Sequence, residues 1–510
     1  MRGHSLLLAV LAAFSSCDVV TASPSCQSNL LVRTNEGKVH GAIPNGFPGV
    51  RQFSGIPYAK PPLDDLRFAA PQPAEKRNGV LDASRFPPSC PQILENWNAN
   101  LYIRDVNQFN LQGLNRTGAT SEDCLTLSVF TPSRRDMSPH SKLPVLIYIY
   151  GGSFTTGGQD IPYQNPTQWV QRTQSHIVVV FNYRVSFFGF PSSAALPLRG
   201  HNLGLQDQRL AVQWVHANIA SFGGDPERMV LWGQSAGAMS VASYSYAYPE
   251  DPIVKCLIQD SGSEGVFELL HATAPASYSN FTFVAKNVGC GGLEDDPQAE
   301  LACMRKVPYD KIEAFRAEWS RSRGTPALSF APFYDNVTVF ENFKDRAETV
   351  GIAKIPLILG TNTGDWLGLW GENGINEVQA DALIQRIFLC PAHRSAINRA
   401  NLDLPTYRYL YAGNFSNIAP RPWQGAYHQS EIPLLFGTHA NYRGNSTELE
   451  WETSHAMQDA WLAFARDGVE GLAAVDWPVW DNSTGGGVVR VFGDGVPAKT
   501  GAPDDLEKGC

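Results

Sequence analysis

"LWGQSAGAMS", residues 231–240, sets Ser235 between Gly233 and Gly237, directly after the apolar run Met229-Val230-Leu231-Trp232. The GxSxG spacing is that of a sharp strand-to-helix turn, where small flanking residues let the backbone crowd and a serine hydroxyl is pushed outward to react. Glycine and serine also populate ordinary turns. The stretch therefore takes its meaning from what surrounds it.

Around it, short β-rich runs alternate with longer helical patterns. The runs include Leu143–Tyr150, Ile177–Asn182, Met229–Trp232, Cys256–Gln259, Ile355–Gly360 and Tyr407–Tyr411. Their apolar character is continuous rather than alternating, as in strands buried on both faces by helices. This predicts an α/β fold with a mostly parallel central sheet flanked by helices. One helix is predicted over Leu205–Ile219, where Leu210, Val212, Trp214, Val215 and Ile219 recur at helical spacing, and another leads away from Ser235 at Ala236. No repeat, low-complexity tract or linker splits the chain, so residues 24–510 are expected to form a single domain.

Composition narrows the function. With 510 residues, 43% of them hydrophobic, the chain can bury a large core. A net charge of -9, a pI near 5.7 and no block of Lys or Arg argue against a nucleic-acid or anionic-membrane partner. At the N-terminus, Arg2 and His4 precede the apolar run Ser5–Phe14, and Val20-Thr21-Ala22 offers small residues for cleavage. Residues 1–22 thus read as a secretory signal peptide. The run is shorter than the roughly 20 apolar residues of a membrane span, so a secreted protein without stable membrane insertion is expected.

Two further features fit export. Asn-x-Ser/Thr sequons occur at Asn115, Asn280, Asn336, Asn414, Asn445 and Asn482, whereas Asn165 is followed by Pro166. Once Cys17 leaves with the signal, Cys26, Cys90, Cys124, Cys256, Cys290, Cys303, Cys390 and Cys510 remain. An even set in an oxidising compartment invites pairing, but spacing does not give the connectivity.

A second chemical stretch, Tyr150-Gly151-Gly152-Ser153-Phe154, follows the Leu143–Tyr150 run. Acyl transfer needs backbone N–H groups aimed at the oxygen that becomes negative, and small residues let that backbone approach. Gly152 and Ser153 supply such groups from this turn, and Ala236 from the other. No Gly-Lys-Ser/Thr follows, which removes a phosphate loop.

Several stretches now agree in order: "FSGIPYAKPP" and "LRF" within 53–68, "SEDCLTLSVFTP" (121–132), "YIYGGSF" (148–154), "NYRVSFFGF" (182–190) and the run from Asn202 to Ala238. The chain resembles the type-B carboxylesterase/lipase family, an α/β-hydrolase family that includes cholinesterases and fungal lipases, from about Val32 to Phe492. The resemblance implies a Ser, Glu or Asp, His triad in that chain order. Ser235 matches the nucleophile, His428 in "GAYHQSEIPLLFG" the histidine, and Asp365 in "IPLILGTNTGDWLG" the acid, where most members carry Glu. The histidines at 271, 393, 439 and 455 lack that setting, and Asp335 matches a different, structural position. Gly152, Ser153 and Ala236 match oxyanion donors, with Ser153 standing where many members have a third glycine.

The same matching gives Ser261 and Glu431 as a polar pair that supports the histidine, and Arg67–Glu122 and Arg184–Asp207 as buried ion pairs. Gln234 replaces a glutamate common beside the nucleophile. Cys90–Cys124 and Cys290–Cys303 are implied disulfides; Cys390 resembles a position that pairs with the C-terminal region, which offers Cys510, and Cys26 and Cys256 are left unassigned.

The implied activity is hydrolysis of small-molecule esters through an acyl-enzyme, with no metal or organic cofactor. The alternatives are a lipase or a tailoring hydrolase of a natural-product ester. A different class is an adhesion protein of cholinesterase-like fold, a class whose members lack the serine. The Cys90–Cys124 loop intersperses Trp97, Leu101, Tyr102 and Ile103 with Asn98, Asn100, Arg104 and Asp105, which predicts an esterase of dispersed esters rather than a surface-active lipase. Oligomeric state is not legible.

Overall fold

The computed structural model describes residues 29–93, 101, 105–106, 119–133, 140–267, 274–365, 370–371, 374–441, 443–481, 487–501, 507 and 510. The signal segment, Cys26, His271, the sequons at Asn115 and Asn482, and Trp97 with most of the 90–124 loop lie outside them.

Among the described residues, the centre is a ten-stranded sheet. In chain order its strands are β1 (Val50–Pro57), β2 (Thr126–Pro132), β3 (Leu143–Ile149), β4 (Ile177–Phe181), β5 (Gly224–Gln234), β6 (Cys256–Asp260), β7 (Leu357–Asn362), β8 (Thr406–Tyr411), β9 (Val489–Phe492) and β10 (Ala498–Gly501). Across the sheet they run β10-β9-β8-β7-β6-β5-β3-β4-β2-β1. Strands β3 to β9 are mutually parallel, while β1, β2 and β10 pair antiparallel at the two margins. All six apolar runs read from the sequence are strands of the parallel block.

The register explains why those runs are continuously apolar. Val129, Val179, Ile147, Leu231, Leu257 and Leu357 face one another across six neighbouring strands. Each is at most 1% exposed, and burial of such a side chain stabilises the fold by about 1.5–3 kcal/mol. Helix α1 (Leu203–Asn218) spans the predicted helical pattern, and α2 (Ala236–Ala247) begins at the residue after Ser235. Among the described residues, no helix is long and apolar enough to cross a membrane.

Buried ion pairs and disulfides tie the loops to this frame. Arg67 grips Glu122 through Nε and Nη2 at 2.6 and 2.5 Å, and Arg184 grips Asp207 at 2.8 and 2.7 Å. Both pairs are bidentate, which satisfies charges that would be costly if buried alone. Cys90–Cys124, Cys290–Cys303 and Cys390–Cys510 are disulfide-bonded, and Cys256 is a buried free thiol.

One sequon departs from expectation. Asn280 is 7% exposed and its amide donates to Ser329 O at 3.1 Å, so its side chain is engaged in the fold. Asn336, Asn414 and Asn445 are exposed.

Candidate active site

The carboxyl ends of parallel strands are where α/β sheets gather ligands. Four adjacent strands here each release a candidate residue at that edge: β3 leads to Gly152 and Ser153, β5 to Ser235, β6 to Ser261 and β7 to Asp365.

The turn at Ser235 is built by what its glycines lack. A Cβ on Gly233 would come within 2.3 Å of Gly237 C, and one on Gly237 within 1.9 Å of Ile149 O. Strand, helix and the neighbouring strand end are therefore in backbone contact. Ser235 itself has φ 56° and ψ -122°, a conformation that costs a non-glycine residue about 1–3 kcal/mol. Its N–H donates to Asp260 O at 2.8 Å and its carbonyl accepts from Met239 N at 2.9 Å, which holds the strained turn in place.

The Gly152 loop is folded in the same manner. Gly152, Ser153 and Phe154 have φ of 107°, 54° and 60°, and Gly152 O accepts from both Thr155 N and Thr156 N. Among the described residues, the N–H groups of Gly152 and Ser153 make no hydrogen bond. The Ala236 N–H opens a helix, where no intrahelical acceptor exists. These three donors are thus available to a negative oxygen.

His428 arrives from outside the sheet. Its segment docks through the Gly364–Tyr427 bridge and the Gly364 N to Ala426 O bond of 3.0 Å, and Gln429 turns the chain at φ 79°. His428 Nδ1 lies 2.9 Å from Asp365 Oδ1, and both residues are fully buried. Asp365 Oδ2 accepts from Ser261 Oγ at 2.9 Å and from Asn362 N at 2.7 Å. The Phe388 ring packs on the imidazole at a centroid distance of 4.8 Å.

The supporting pair acts at one remove from the histidine. Ser261 bonds Asp365, and Glu431 accepts from Asn362 Nδ2, which also donates to Tyr427 O at 2.8 Å. Asn362 is the residue sequence reasoning passed over. Its position three residues before Asp365 in "NTGD" was the available signal, since Asn side chains commonly brace such turns.

Behind Asp365 lie two further buried carboxyls. Asp260 accepts from Trp232 Nε1 and from Tyr409 Oη at 2.8 Å, yet burial pushes its pKa up to about 7. Burial and the neighbouring Asp260 and Asp365 raise Glu431 well above the usual carboxylate range.

The remaining candidates fall elsewhere. Asp335 Oδ1 accepts from the N–H groups of Val337, Thr338 and Val339 at 2.7–2.9 Å, a turn-bracing use of its charge. His393 pairs with Glu507 at 2.8 Å and His439 with Glu450 at 3.2 Å, and His455 packs its ring against Trp451.

The sequence matches the carboxylesterase family over residues 28–382 and 372–491. It is 45% identical to a chlorogenic acid esterase of Aspergillus niger, covering 90% of this chain and 87% of that protein. It is 38% identical to secreted lipase 5 of Gibberella zeae, covering 94% and 92%. A solved structure of PNB esterase superposes with a TM-score of 0.76 at 26% identity, covering 94% of this chain and 98% of that one.

Proposed function

As a member of the carboxylesterase family and a carboxylic ester hydrolase, the chain, we propose, works as a secreted enzyme through an acyl-enzyme on Ser235, with His428 as base and Asp365 as its partner. His428 Nε2 takes the Ser235 Oγ proton as Oγ bonds to the ester carbonyl carbon. The carbonyl oxygen becomes an oxyanion that accepts from the N–H groups of Gly152, Ser153 and Ala236. As the tetrahedral species collapses, the C–O bond to the alcohol breaks and His428 hands its proton to that oxygen. Water, deprotonated by His428, then releases the acid. Asp365 holds the Nδ1 tautomer and stabilises the imidazolium.

The observation that carries this reading is the 2.9 Å contact of two fully buried groups, His428 and Asp365, beside a serine held in a strained turn. The test is labelling with a fluorophosphonate and mass analysis of the modified peptide: the adduct belongs on Ser235, and an adduct elsewhere sinks the assignment.

Within ester hydrolases the reading favours dispersed esters over oil. Asp105, in the 90–124 loop, accepts from Arg421 Nε at 2.8 Å, seven residues before His428. A loop tied by a partly buried ion pair is poorly suited to lift and lie on an interface. The Aspergillus niger relative is named for chlorogenic acid, so esters of a phenolic acid with a polar alcohol belong first in a substrate panel.

A further inference from the structure

Gln234 lies between the two loops that the proposed chemistry brings together. Its side chain is 1% exposed, its amide nitrogen is 3.3 Å from His428 Nε2, and its amide oxygen would meet a Cβ on Gly151 at 2.8 Å. The opposite ring nitrogen, Nδ1, faces Asp365. A carboxylate only accepts, so Nδ1 carries the ring proton and Nε2 presents its lone pair. The Gln234 N–H is then the donor and the Nε2 lone pair the acceptor. That lone pair is the one that has to take the proton of Ser235.

We propose that Gln234 is a positioning residue for His428, its amide N–H fixing the orientation of the imidazole so that Nε2 stays at the elbow beside Ser235. The inference rests on the triad reading above. A donor in this place pairs with the Nε2 lone pair, whereas a carboxylate would pair with an Nε2–H. Among the described residues, the ionisable groups about His428 include Asp365 on its own Nδ1, Asp260 and Glu431, both of which feel the Asp365 charge, the buried Tyr427 next to it in the chain, and Tyr163, which reaches the adjoining Gln429 at 3.3 Å. Phe388 covers the ring face and carries no charge. Gln234 is thus the neutral group in direct contact with the atom that reacts.

The test compares kcat and KM on a neutral, soluble ester between pH 5 and 9, as the chosen assay range, for wild type, Gln234→Glu and Gln234→Met. In Gln234→Glu the acid limb of kcat/KM should move to higher pH by about one unit, because a carboxylate accepts from the protonated ring. In Gln234→Met, which keeps the bulk and loses the donor, kcat should fall by about tenfold, the scale of one lost hydrogen bond, with KM little changed. An unmoved acid limb in Gln234→Glu, or wild-type kcat in Gln234→Met, overturns the proposal. If Gln234→Glu does not fold, the ¹⁵N shift of His428 Nε2 decides: upfield in wild type relative to Gln234→Met supports the donor, and equal shifts refute it. Ser235→Ala separates the two readings. If it is inactive while the Gln234 variants behave as wild type, only the present inference fails; if it stays active, the triad reading itself is wrong.

Discussion

Asp365 and His428, 63 residues apart in the chain, meet through Oδ1 and Nδ1 at 2.9 Å with neither side chain open to solvent. The other carboxylate oxygen is already committed to Ser261 and to the backbone of Asn362. The aspartate therefore reaches the ring from a turn pinned on both sides.

This arrangement makes Asp365→Asn a clean test. The amide still fills the site but no longer holds the ring tautomer, so kcat should fall by about 10⁴-fold, as at the equivalent step in serine proteases. Asp335→Asn should keep most activity and lose about 1–2 kcal/mol of stability from the turn it braces. Steady-state kinetics with thermal unfolding of both variants checks the ranking, and the reverse order would transfer the role to Asp335.

Asp260 should make stability depend on pH. Burial raises its folded-state pKa from 3.8 to about 7, so the folded chain holds this proton more tightly than the unfolded one. The resulting stabilisation is complete below about pH 4 and is lost as pH rises towards 7. Glu431 is raised as well and adds to the same slope. Asp260→Asn, which mimics the protonated acid towards Trp232 and Tyr409, should show a smaller drop in Tm than wild type between pH 5 and 8; equal drops would contradict the assignment.

Gly237→Ala should fail for reasons of space. Its added methyl would sit 1.9 Å from Ile149 O, which is backbone and cannot swing away. A loss of about 3 kcal/mol or more is expected, read as a fall in Tm or in soluble yield. Ser235→Ala, two residues earlier, should keep the wild-type Tm within a few degrees while losing all fluorophosphonate labelling.

The Asp105–Arg421 tie bears on interfacial behaviour. With a short-chain triglyceride carried through its solubility limit, the rate should saturate smoothly. A sharp rise at the onset of emulsion would identify a lipase and displace the esterase reading.

Glycan occupancy should follow burial. Glycopeptide mapping of the protein produced through a eukaryotic secretory host should find Asn280 unmodified, because its amide is bonded to Ser329 O inside the fold. A glycan on Asn280 would show that this segment packs differently.

What the sequence determined by itself was the parallel block and the two backbone turns. Continuous apolar runs such as Ile177–Phe181 can only be satisfied between two layers of helix, and the glycines at 151, 152, 233 and 237 report backbone crowding directly. Chain order and resemblance brought Asp365 and His428 forward as candidates. The short strands β9 and β10 at one margin were less legible, since four residues each, only partly buried, carry a weaker pattern. Only the tertiary structure decided which groups actually touch. It put Ser261 on Asp365, gave Asn362 the bracing role, withdrew Asn280 to the interior, and set the Gln234 amide against His428 Nε2. The reason is geometric. A hydrophobic pattern fixes which face of an element is buried, whereas a hydrogen bond between side chains from separate strands depends on where the two strand ends stop and how each loop turns, to within a few tenths of an ångström.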